Sequence, residues 1–144
     1  MVCLGNICRS PMAEGILKNM VKKHDLNWEV DSAGTGDWHI GEPPHIDSIN
    51  EAKKNGLDLT DQRARQLSSE DFHYFDLILV MDDQNLANAG RIAPEGTAHK
   101  LRKLLSFHPD ESLHNLPDPY FEGGFDSVFS MIKESCRHII KTYN

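Results

Sequence analysis

Residues 1–14 read MVCLGNICRSPMAE and combine the end of a strand, a tight loop and the start of a helix. Five residues separate Cys3 from Arg9, and the hydroxyl residue Ser10 follows directly. Such a loop can wrap an oxyanion, because its backbone N–H groups and the N-terminus of the next helix point at one centre. Arg9 can hold two oxygens with its planar fork, and the same positive field stabilises the thiolate form of Cys3. The pattern predicts an oxyanion-binding loop around a nucleophilic cysteine; a turn with an incidental buried cysteine is the alternative.

Size and composition predict one domain spanning residues 1–144, large enough to bury a core. Hydrophobic residues make up 39% and charged residues 26% of the chain, and the net charge of −7 argues against nucleic acid as a partner. No apolar run reaches membrane-spanning length and no signal peptide precedes Cys3, so no membrane partner is expected. Three cysteines, an odd number, favour a reducing cytoplasmic location over a disulfide framework.

Apolar spacing divides the chain into alternating strands and helices. The spacing predicts helices at residues 11–24, 47–55 and 125–143, strands at 1–2, 28–32, 77–81 and 101–107, and a loop at 33–46. Expected caps are Gly56, in a left-handed conformation after the second helix, Asp71, and Asp82 or Asp83. We expect an α/β fold with a doubly wound, four-stranded parallel sheet of flavodoxin-like order, helices on both faces and a truncated first strand. Ligands of such sheets bind beyond the carboxyl ends of the strands, where the Cys3 loop lies.

The sequence of residues 3–14 resembles the signature of the low-molecular-weight protein tyrosine phosphatases. Asp118-Pro119-Tyr120 resembles the general-acid loop of that family. The segments VDSAGTGDWHIG, ARQLSSEDF and LILVMDDQN occur in the same order, so the resemblance covers nearly the whole chain. It implies hydrolysis of phosphotyrosine or aryl phosphate monoesters through a cysteinyl-phosphate intermediate, with phosphate or another oxyanion held in the site. No cofactor is expected, and the eight histidines show no metal-ligand spacing.

Three residues are expected to carry the chemistry. Cys3 attacks phosphorus, and Arg9 binds the phosphoryl oxygens and stabilises them in the transition state. Asp118 protonates the departing oxygen and then activates the water that releases phosphate. The rest of the loop supplies amides around the phosphate, from Leu4, Gly5, Asn6, Ile7, Cys8 and Ser10.

Several residues are expected to support these three. Asn6 is expected in a left-handed conformation, and the resemblance implies that Ser10 and Ser32 hold it. Ser10 can also donate a hydrogen bond to the cysteine sulfur. Asp82 resembles a family residue that lies behind the site.

The rim and the redox behaviour depend on other side chains. Trp38 and Tyr120 are expected to wall the pocket and select a flat aryl ester, with His39 at its edge. Phe121 replaces a second tyrosine that is frequent in the family. Cys8 is expected to form a reversible disulfide with Cys3, or else to be a packed free thiol. Cys136 is expected in the core.

Other functions fit parts of the pattern. An arsenate reductase would need two further cysteines for its disulfide relay. Protein-arginine phosphatases carry small threonines inside the loop, where this chain has Leu4 and Ile7. A phosphate-binding module would gain nothing from an acid such as Asp118 beside the anion. The physiological substrate stays open among phosphoproteins, polysaccharide-synthesis kinases and small aryl phosphates, and we expect a monomer or weak dimer.

One departure from the family concerns the first strand. In the family this strand begins several residues upstream of the cysteine and lies at the centre of the sheet, whereas here only Met1 and Val2 precede Cys3. Loss of central-strand pairing is expected to lower stability and to position the loop less firmly.

Overall fold

Four short parallel strands form the centre of the computed structural model, which describes residues 1–144. In chain order the strands are β1 (Val2–Cys3), β2 (Ala33–Gly34), β3 (Ile78–Val80) and β4 (Leu101–Lys103). They lie in the order β2-β1-β3-β4, and Val2 pairs with both Ala33 and Val80. The predicted flavodoxin-like order is therefore confirmed, with a central β1 of only two residues.

Six α-helices connect and cover these strands. They are α1 (Arg9–Lys23), α2 (Ile46–Lys54), α3 (Asp71–Tyr74), α4 (Asp83–Ile92), α5 (Pro119–Glu122) and α6 (Phe125–Tyr143), with 3₁₀ turns at Ala98–Lys100 and Leu104–Phe107. Gly56 has the expected positive φ after α2. None of the helices is both long and apolar enough to cross a bilayer.

Alternate residues of β3 point to opposite faces of the sheet, as the strand period of two requires. Leu79 lies in the larger core, which α1, α2 and α6 cover. Ile78 and Val80 lie in a smaller core with Phe72 of α3 and Ala89 of α4. Helices therefore pack on both faces, and the doubly wound architecture is confirmed.

The strand predicted at residues 28–32 is wrong. The strand in this region is β2, which begins at Ala33 inside the segment predicted to be a loop. Because β1 begins at Val2 and pairs with Ala33, no strand runs beside residues 28–30, and no backbone hydrogen bond involves them. Apolar composition favours a strand, but a strand forms only where a neighbour supplies the ladder.

Two smaller predictions also need correction. The last strand ends at Lys103, because the chain then tightens into the 3₁₀ turn that buries Leu104, Leu105 and Phe107. Asp71 is the first residue of α3 and not its N-cap, although its carboxylate still accepts a hydrogen bond from the backbone N–H of Ser68.

A groove of about 640 Å³ lies against Met1, between residues 27–33 and residues 74–79. Apolar side chains dominate its lining, among them Leu17, Trp28, Val30, Leu77, Leu79 and Ile139. The amino group of Met1 donates to the carbonyl oxygen of Asp31, and burial lowers the pKa of this amino group. The central strand thus begins at a buried amino group, beside an apolar groove.

We expect that placing the apolar segment Lys-Val-Leu-Val before Met1 stabilises the fold. The added residues would pair with residues 28–31, bury apolar surface in the groove and replace the buried amino group with a peptide bond. The melting temperature should rise by roughly 3–8 °C, which corresponds to about 1 kcal/mol of stabilisation. A Ser-Gly-Ser-Gly extension of equal length is the control, and an equal rise with both extensions would contradict the proposed pairing.

Candidate active site

The loop that joins β1 to α1 surrounds a buried sulfur. Cys3 ends β1 at the carboxyl edge of the sheet, and Arg9 begins α1 after the turn formed by residues 4–8. The Cys3 Sγ lies 3.0 Å from the Ser10 Oγ. The first turn of α1 therefore reaches the sulfur through the Ser10 hydroxyl group.

The side chain of Asn6 stabilises the conformation of this loop. Its backbone has the predicted left-handed conformation, with a φ of 56°. Its Nδ2 donates to the Oγ of Ser10 at 2.7 Å and to the Oγ of Ser32 at 2.9 Å. Its Oδ1 accepts the backbone N–H of Arg65 at 3.1 Å. The buried amide thus uses both donor hydrogens and its acceptor, which offsets the cost of the uncommon backbone conformation.

A chain of hydrogen bonds links the sulfur to a buried carboxylate. Asn6 donates to the hydroxyl oxygens of Ser10 and Ser32. The hydroxyl hydrogens of both serines therefore remain available for other acceptors. Ser10 can then donate to the Cys3 sulfur, and Ser32 donates to the Oε1 of Glu14 at 2.6 Å. Glu14 is only 4% exposed, and its Oε2 accepts from Lys18 at 2.7 Å.

Gly34 lets β2 approach this loop closely. A Cβ atom at this position would lie 2.9 Å from the carbonyl oxygen of Leu4 and 3.1 Å from the backbone nitrogen of Asn6. Both contacts are with backbone atoms, which have little freedom to move. Glycine at this position is therefore required for the loop to pack against the sheet.

Arg9 is a buried cation with part of its guanidinium left free. Its side chain is 2% exposed, and its NH1 donates to the Oδ2 of Asp82 at 2.7 Å and to the carbonyl oxygen of Leu116 at 2.9 Å. Its NH2 makes only a 3.4 Å contact with Asp118. NH1 therefore anchors the side chain, while NH2 and Nε keep donors for an oxyanion in the loop.

The two aspartates beside Arg9 begin helices. Asp82 is the N-cap of α4, where its Oδ1 accepts the backbone N–H of Asn85 at 2.8 Å. Asp118 is the N-cap of α5, where its Oδ1 accepts the backbone N–H of Tyr120 at 3.1 Å. In each case the other oxygen faces Arg9, so the helix starts fix both carboxylates next to the loop.

A cleft of about 260 Å³ opens above the cysteine. It brings together Cys3, Leu4, Gly5, Ile7, Cys8, Arg9, Trp38, His39, Asp118, Tyr120 and Phe121. Trp38 and Tyr120 are both exposed, and the indole of Trp38 packs on Gly36. His39 lies over Gly5 and forms an ion pair with Glu42. The cleft therefore has a polar floor and largely aromatic walls.

The other two cysteines lie in different surroundings. Burial, aided by the nearby Cys3, raises the pKa of the Cys8 thiol to about 12, although this residue also lines the cleft. Burial likewise raises the pKa of Cys136 to about 12, and this side chain is fully enclosed in the core, as the sequence predicted. All three cysteines are free thiols.

A second ion cluster supports the loop from behind. The Arg65 guanidinium donates to both oxygens of Asp71, at 2.9 and 3.0 Å, and to the Oδ2 of Asp31 at 3.1 Å. Although burial opposes it, the hydrogen bonds and charges of these carboxylates raise the pKa of Arg65. These ion pairs fix the position of Arg65, whose backbone N–H donates to the Oδ1 of Asn6.

Sequence reasoning gave no role to Glu14, Arg65 or Leu116. A sequence signal existed for Glu14, because an acid beside the apolar face of α1 with Lys18 four residues later is typical of a helical ion pair. Arg65 contacts Asn6 and Leu116 contacts Arg9 across 59 and 107 residues, and no local pattern encodes such pairings. No group of three or more potential ligands is arranged to hold a metal ion.

Comparison with known proteins agrees with this fold. The family model described as "Low molecular weight phosphotyrosine protein phosphatase" matches residues 1–144. This chain belongs to that family. The low molecular weight protein-tyrosine-phosphatase YfkJ of Bacillus subtilis is 39% identical over 141 residues, which cover 96% of this chain and 90% of that protein. The present chain is accordingly an enzyme of the protein-tyrosine-phosphatase class.

Solved structures of similar proteins share the whole fold. The crystal structure of YfkJ matches with a TM-score of 0.94 and 38% identity, covering 98% of this chain and 90% of that one. A Drosophila arginine phosphatase matches with a TM-score of 0.93 and 37% identity, covering 99% and 95%. Vibrio vulnificus Wzb in complex with benzylphosphonate matches with a TM-score of 0.84 and 33% identity, covering 98% and 94%.

We expect Asp71→Asn to destabilise the phosphatase fold in a pH-dependent way. Burial alone would raise the pKa of Asp71, but the hydrogen bonds from Arg65 and Ser68 outweigh burial and lower it. A carboxylate with a lowered folded-state pKa contributes stability above its unfolded pKa of about 3.9 and loses it as pH falls through the folded value. The substitution should therefore cost about 1–2 kcal/mol at pH 7.

Urea unfolding of both proteins between pH 7 and pH 3 tests this expectation. The difference in unfolding free energy should shrink as the pH falls below about 4. Asp61→Asn, at an exposed aspartate outside the Arg65 ion cluster, is the matched control. A difference that stays constant with pH would contradict the role given to Asp71.

Proposed function

We propose that this enzyme hydrolyses phosphotyrosine and related aryl phosphate monoesters through a cysteinyl-phosphate intermediate, with residues 1–144 acting as a single domain. The observation that carries the proposal is the meeting of three groups in one cleft. Cys3, Arg9 and Asp118 all line the cleft, and Asp118 lies 3.4 Å from the NH2 of Arg9. A nucleophile, an oxyanion binder and a proton donor are the parts that phosphoryl transfer to a thiol requires.

In the first step the phosphate ester binds with its oxygens in the loop. The inward-facing amides of residues 4–10 and the free guanidinium donors of Arg9 hold the equatorial oxygens. The Cys3 thiolate attacks phosphorus opposite the ester oxygen, so an S–P bond forms as the P–O bond breaks. The electron pair of the broken bond goes to the departing oxygen.

Asp118 supplies the proton that this oxygen needs. A bound phosphate dianion favours the protonated carboxylic acid next to it, so the proton is available when the ester binds. Transfer of this proton releases a neutral phenol instead of a phenoxide. The N-cap bond to Tyr120 supports this role, because it leaves the second carboxyl oxygen to face the cleft.

In the second step water attacks the phosphocysteine. Asp118, now a carboxylate, takes a proton from this water as the S–P bond breaks. The electron pair returns to sulfur, and the 3.0 Å contact between Cys3 and Ser10 lets the hydroxyl group stabilise the departing thiolate. Inorganic phosphate then leaves the loop and the starting state is restored.

The walls of the cleft support an aromatic ester as substrate. Leu4, Ile7, Trp38 and Tyr120 give its sides an apolar and aromatic character on which a phenyl ring can pack. A structural relative is named an arginine phosphatase, but Leu4 and Ile7 are bulky apolar residues that offer no partner to a guanidinium. Arsenate reduction is disfavoured because Cys136 is enclosed in the core and does not line the cleft, which leaves only Cys3 and Cys8 there.

The setting of the reaction is also part of the proposal. A thiol nucleophile and two further unpaired cysteines suit a reducing compartment, which supports a cytoplasmic location. The cleft is complete within one chain, so catalysis requires no second subunit, and the enzyme works as a monomer or weak dimer.

Cys3→Ser should abolish turnover of an aryl phosphate while inorganic phosphate still binds. The substitution removes the nucleophile but leaves the loop amides and Arg9 in place. Calorimetric titration with phosphate and a spectrophotometric assay with para-nitrophenyl phosphate measure the two properties, and Cys136→Ala controls for loss of a buried thiol outside the cleft. Turnover by Cys3→Ser, or loss of native activity in EDTA, would contradict the mechanism.

Asp118→Asn should slow cleavage of phosphotyrosine far more than cleavage of an ester with an activated leaving group. General acid catalysis contributes on the order of 10²–10⁴-fold, and a good leaving group needs little of it. The comparison is kcat on phosphotyrosine and on para-nitrophenyl phosphate, with Asp83→Asn as the control at the neighbouring helix start. Equal losses of kcat on both esters would contradict the role of Asp118 as general acid.

Hydrogen peroxide should inactivate the enzyme reversibly through a Cys3–Cys8 disulfide. Peroxide oxidises the Cys3 thiolate to a sulfenic acid, and attack by the Cys8 sulfur then displaces the hydroxyl group as water. Both residues line the cleft, and the raised pKa of Cys8 keeps it from being oxidised first. Cys8→Ser should recover less activity with dithiothreitol, and mass spectrometry that finds a bridge to Cys136, or none, would refute the idea.

A further inference from the structure

The mouth of the cleft is strongly acidic. Two segments flank it, residues 36–47 and residues 117–126, which we call the rim segments. They carry six carboxylates and no lysine or arginine: Asp37, Glu42, Asp47, Asp118, Glu122 and Asp126. The rim segments lie within two long stretches without any lysine or arginine, residues 24–52 and 104–132. A substrate that approaches the cleft therefore meets negative charge on both sides.

Three of these carboxylates have no ionic partner. Glu42 pairs with His39, Asp47 lies 3.7 Å from His45, and Asp118 faces Arg9. The three others form no salt bridge and are exposed to solvent: Asp37, Glu122 and Asp126. Their charge is available to a bound molecule.

No neighbouring lysine or arginine forms a salt bridge with these three carboxylates. Lys53 and Lys54 lie in the last turn of α2, about 10–12 Å along the helix from its start at the mouth. The Arg63 guanidinium donates to the carbonyl oxygens of Thr60 and Gln62. Arg9 is enclosed beneath the loop, so the positive charge of the site is confined to its floor.

The rim also exposes large apolar side chains. Trp38 is 67% exposed and Phe121 is 73% exposed, and both line the cleft. Ile40 and Ile46 of the same rim segments are exposed as well. An aromatic surface next to unpaired carboxylates favours a partner that carries apolar groups and positive charge, because arginine and lysine stack on aromatic faces and pair with carboxylates.

We infer that the enzyme selects phosphotyrosine in a basic segment, with lysine or arginine within about three residues of the phosphotyrosine, and discriminates against acidic flanking residues. The inference rests on the proposed function of the cleft. The phosphate binds at the positive floor, while the flanking residues lie over the rim segments. Basic flanks then meet the carboxylates of Asp37, Glu122 and Asp126, and acidic flanks are repelled by them.

The test compares three phosphotyrosine peptides of equal length, flanked on both sides by lysine, alanine or glutamate. At low ionic strength kcat/KM should fall in that order, with about a tenfold span between lysine and glutamate from several exposed charge pairs. At about 1 M salt, where the Debye length is about 3 Å, the span should collapse. Para-nitrophenyl phosphate has no flanking residues and reports the basal reaction.

The variant that tests the rim combines Asp37→Asn, Glu122→Gln and Asp126→Asn. It should bring the three peptides to within about twofold of one another, since it removes the unpaired rim charges, and leave the para-nitrophenyl phosphate rate unchanged. The matched control, Glu70→Gln with Asp76→Asn and Glu95→Gln, removes three exposed carboxylates outside the rim segments and should keep the tenfold span.

Binding of the same peptides to Cys3→Ser, measured by fluorescence polarisation, separates this inference from the proposed function. If no ester is hydrolysed by the native enzyme but the peptides still bind in the predicted order, the proposed function fails and the charge selectivity stands. A flat or reversed order in both rate and binding overturns the selectivity. A difference between the lysine-flanked and glutamate-flanked peptides that persists in the rim variant also overturns the selectivity.

Discussion

The site depends on one side-chain amide. Asn6 makes three buried hydrogen bonds, to Ser10, Ser32 and the backbone of Arg65, and these bonds hold its own backbone in a left-handed turn. That turn lies in the loop between Cys3 and Arg9, which lines the cleft. The loop and the sulfur contact are thus coupled, because the Ser10 hydroxyl group that lies 3.0 Å from the Cys3 sulfur also accepts a hydrogen bond from the Asn6 amide. A side chain lacking either the donor or the acceptor would leave buried polar atoms unsatisfied.

The network extends the influence of Asn6 to distant parts of the chain. On one side Ser32 leads to Glu14 and Lys18 on α1. On another, Arg65 ties the loop to Asp31 and Asp71. Charge is therefore placed in layers, with paired ions behind the loop, a single guanidinium beneath the cleft and carboxylates at its mouth. Although the net charge of the protein is −7, Arg9 and the N-terminus of α1 place positive charge beside the loop.

Much of this architecture was predictable from local sequence, and the exceptions have physical causes. The loop, the left-handed Asn6 and the long helix α6 depend on spacing and composition within a few residues, and all were found as expected. Residues 28–32 have the composition of a strand but lack a neighbour to pair with, which composition cannot reveal. The contribution of Arg65 arises from its backbone, and a backbone donor leaves no trace in residue type. The predictions of family and fold were correct, because the motifs that carry the resemblance lie in both the N-terminal and the C-terminal parts of the chain.

Arg9 contacts Asp82 more closely than Asp118, and this difference has a consequence for inhibitor chemistry. Asp82 holds NH1 at 2.7 Å, whereas Asp118 lies 3.4 Å from NH2. An oxyanion entering the loop competes with Asp118 for that donor, while the anchoring bond to Asp82 stays intact. A compound that offers only an oxyanion therefore leaves the Asp118 carboxyl group without its contact to Arg9. A compound that pairs a phosphonate with an adjacent amine or amide N–H directed at Asp118 would satisfy both groups at once.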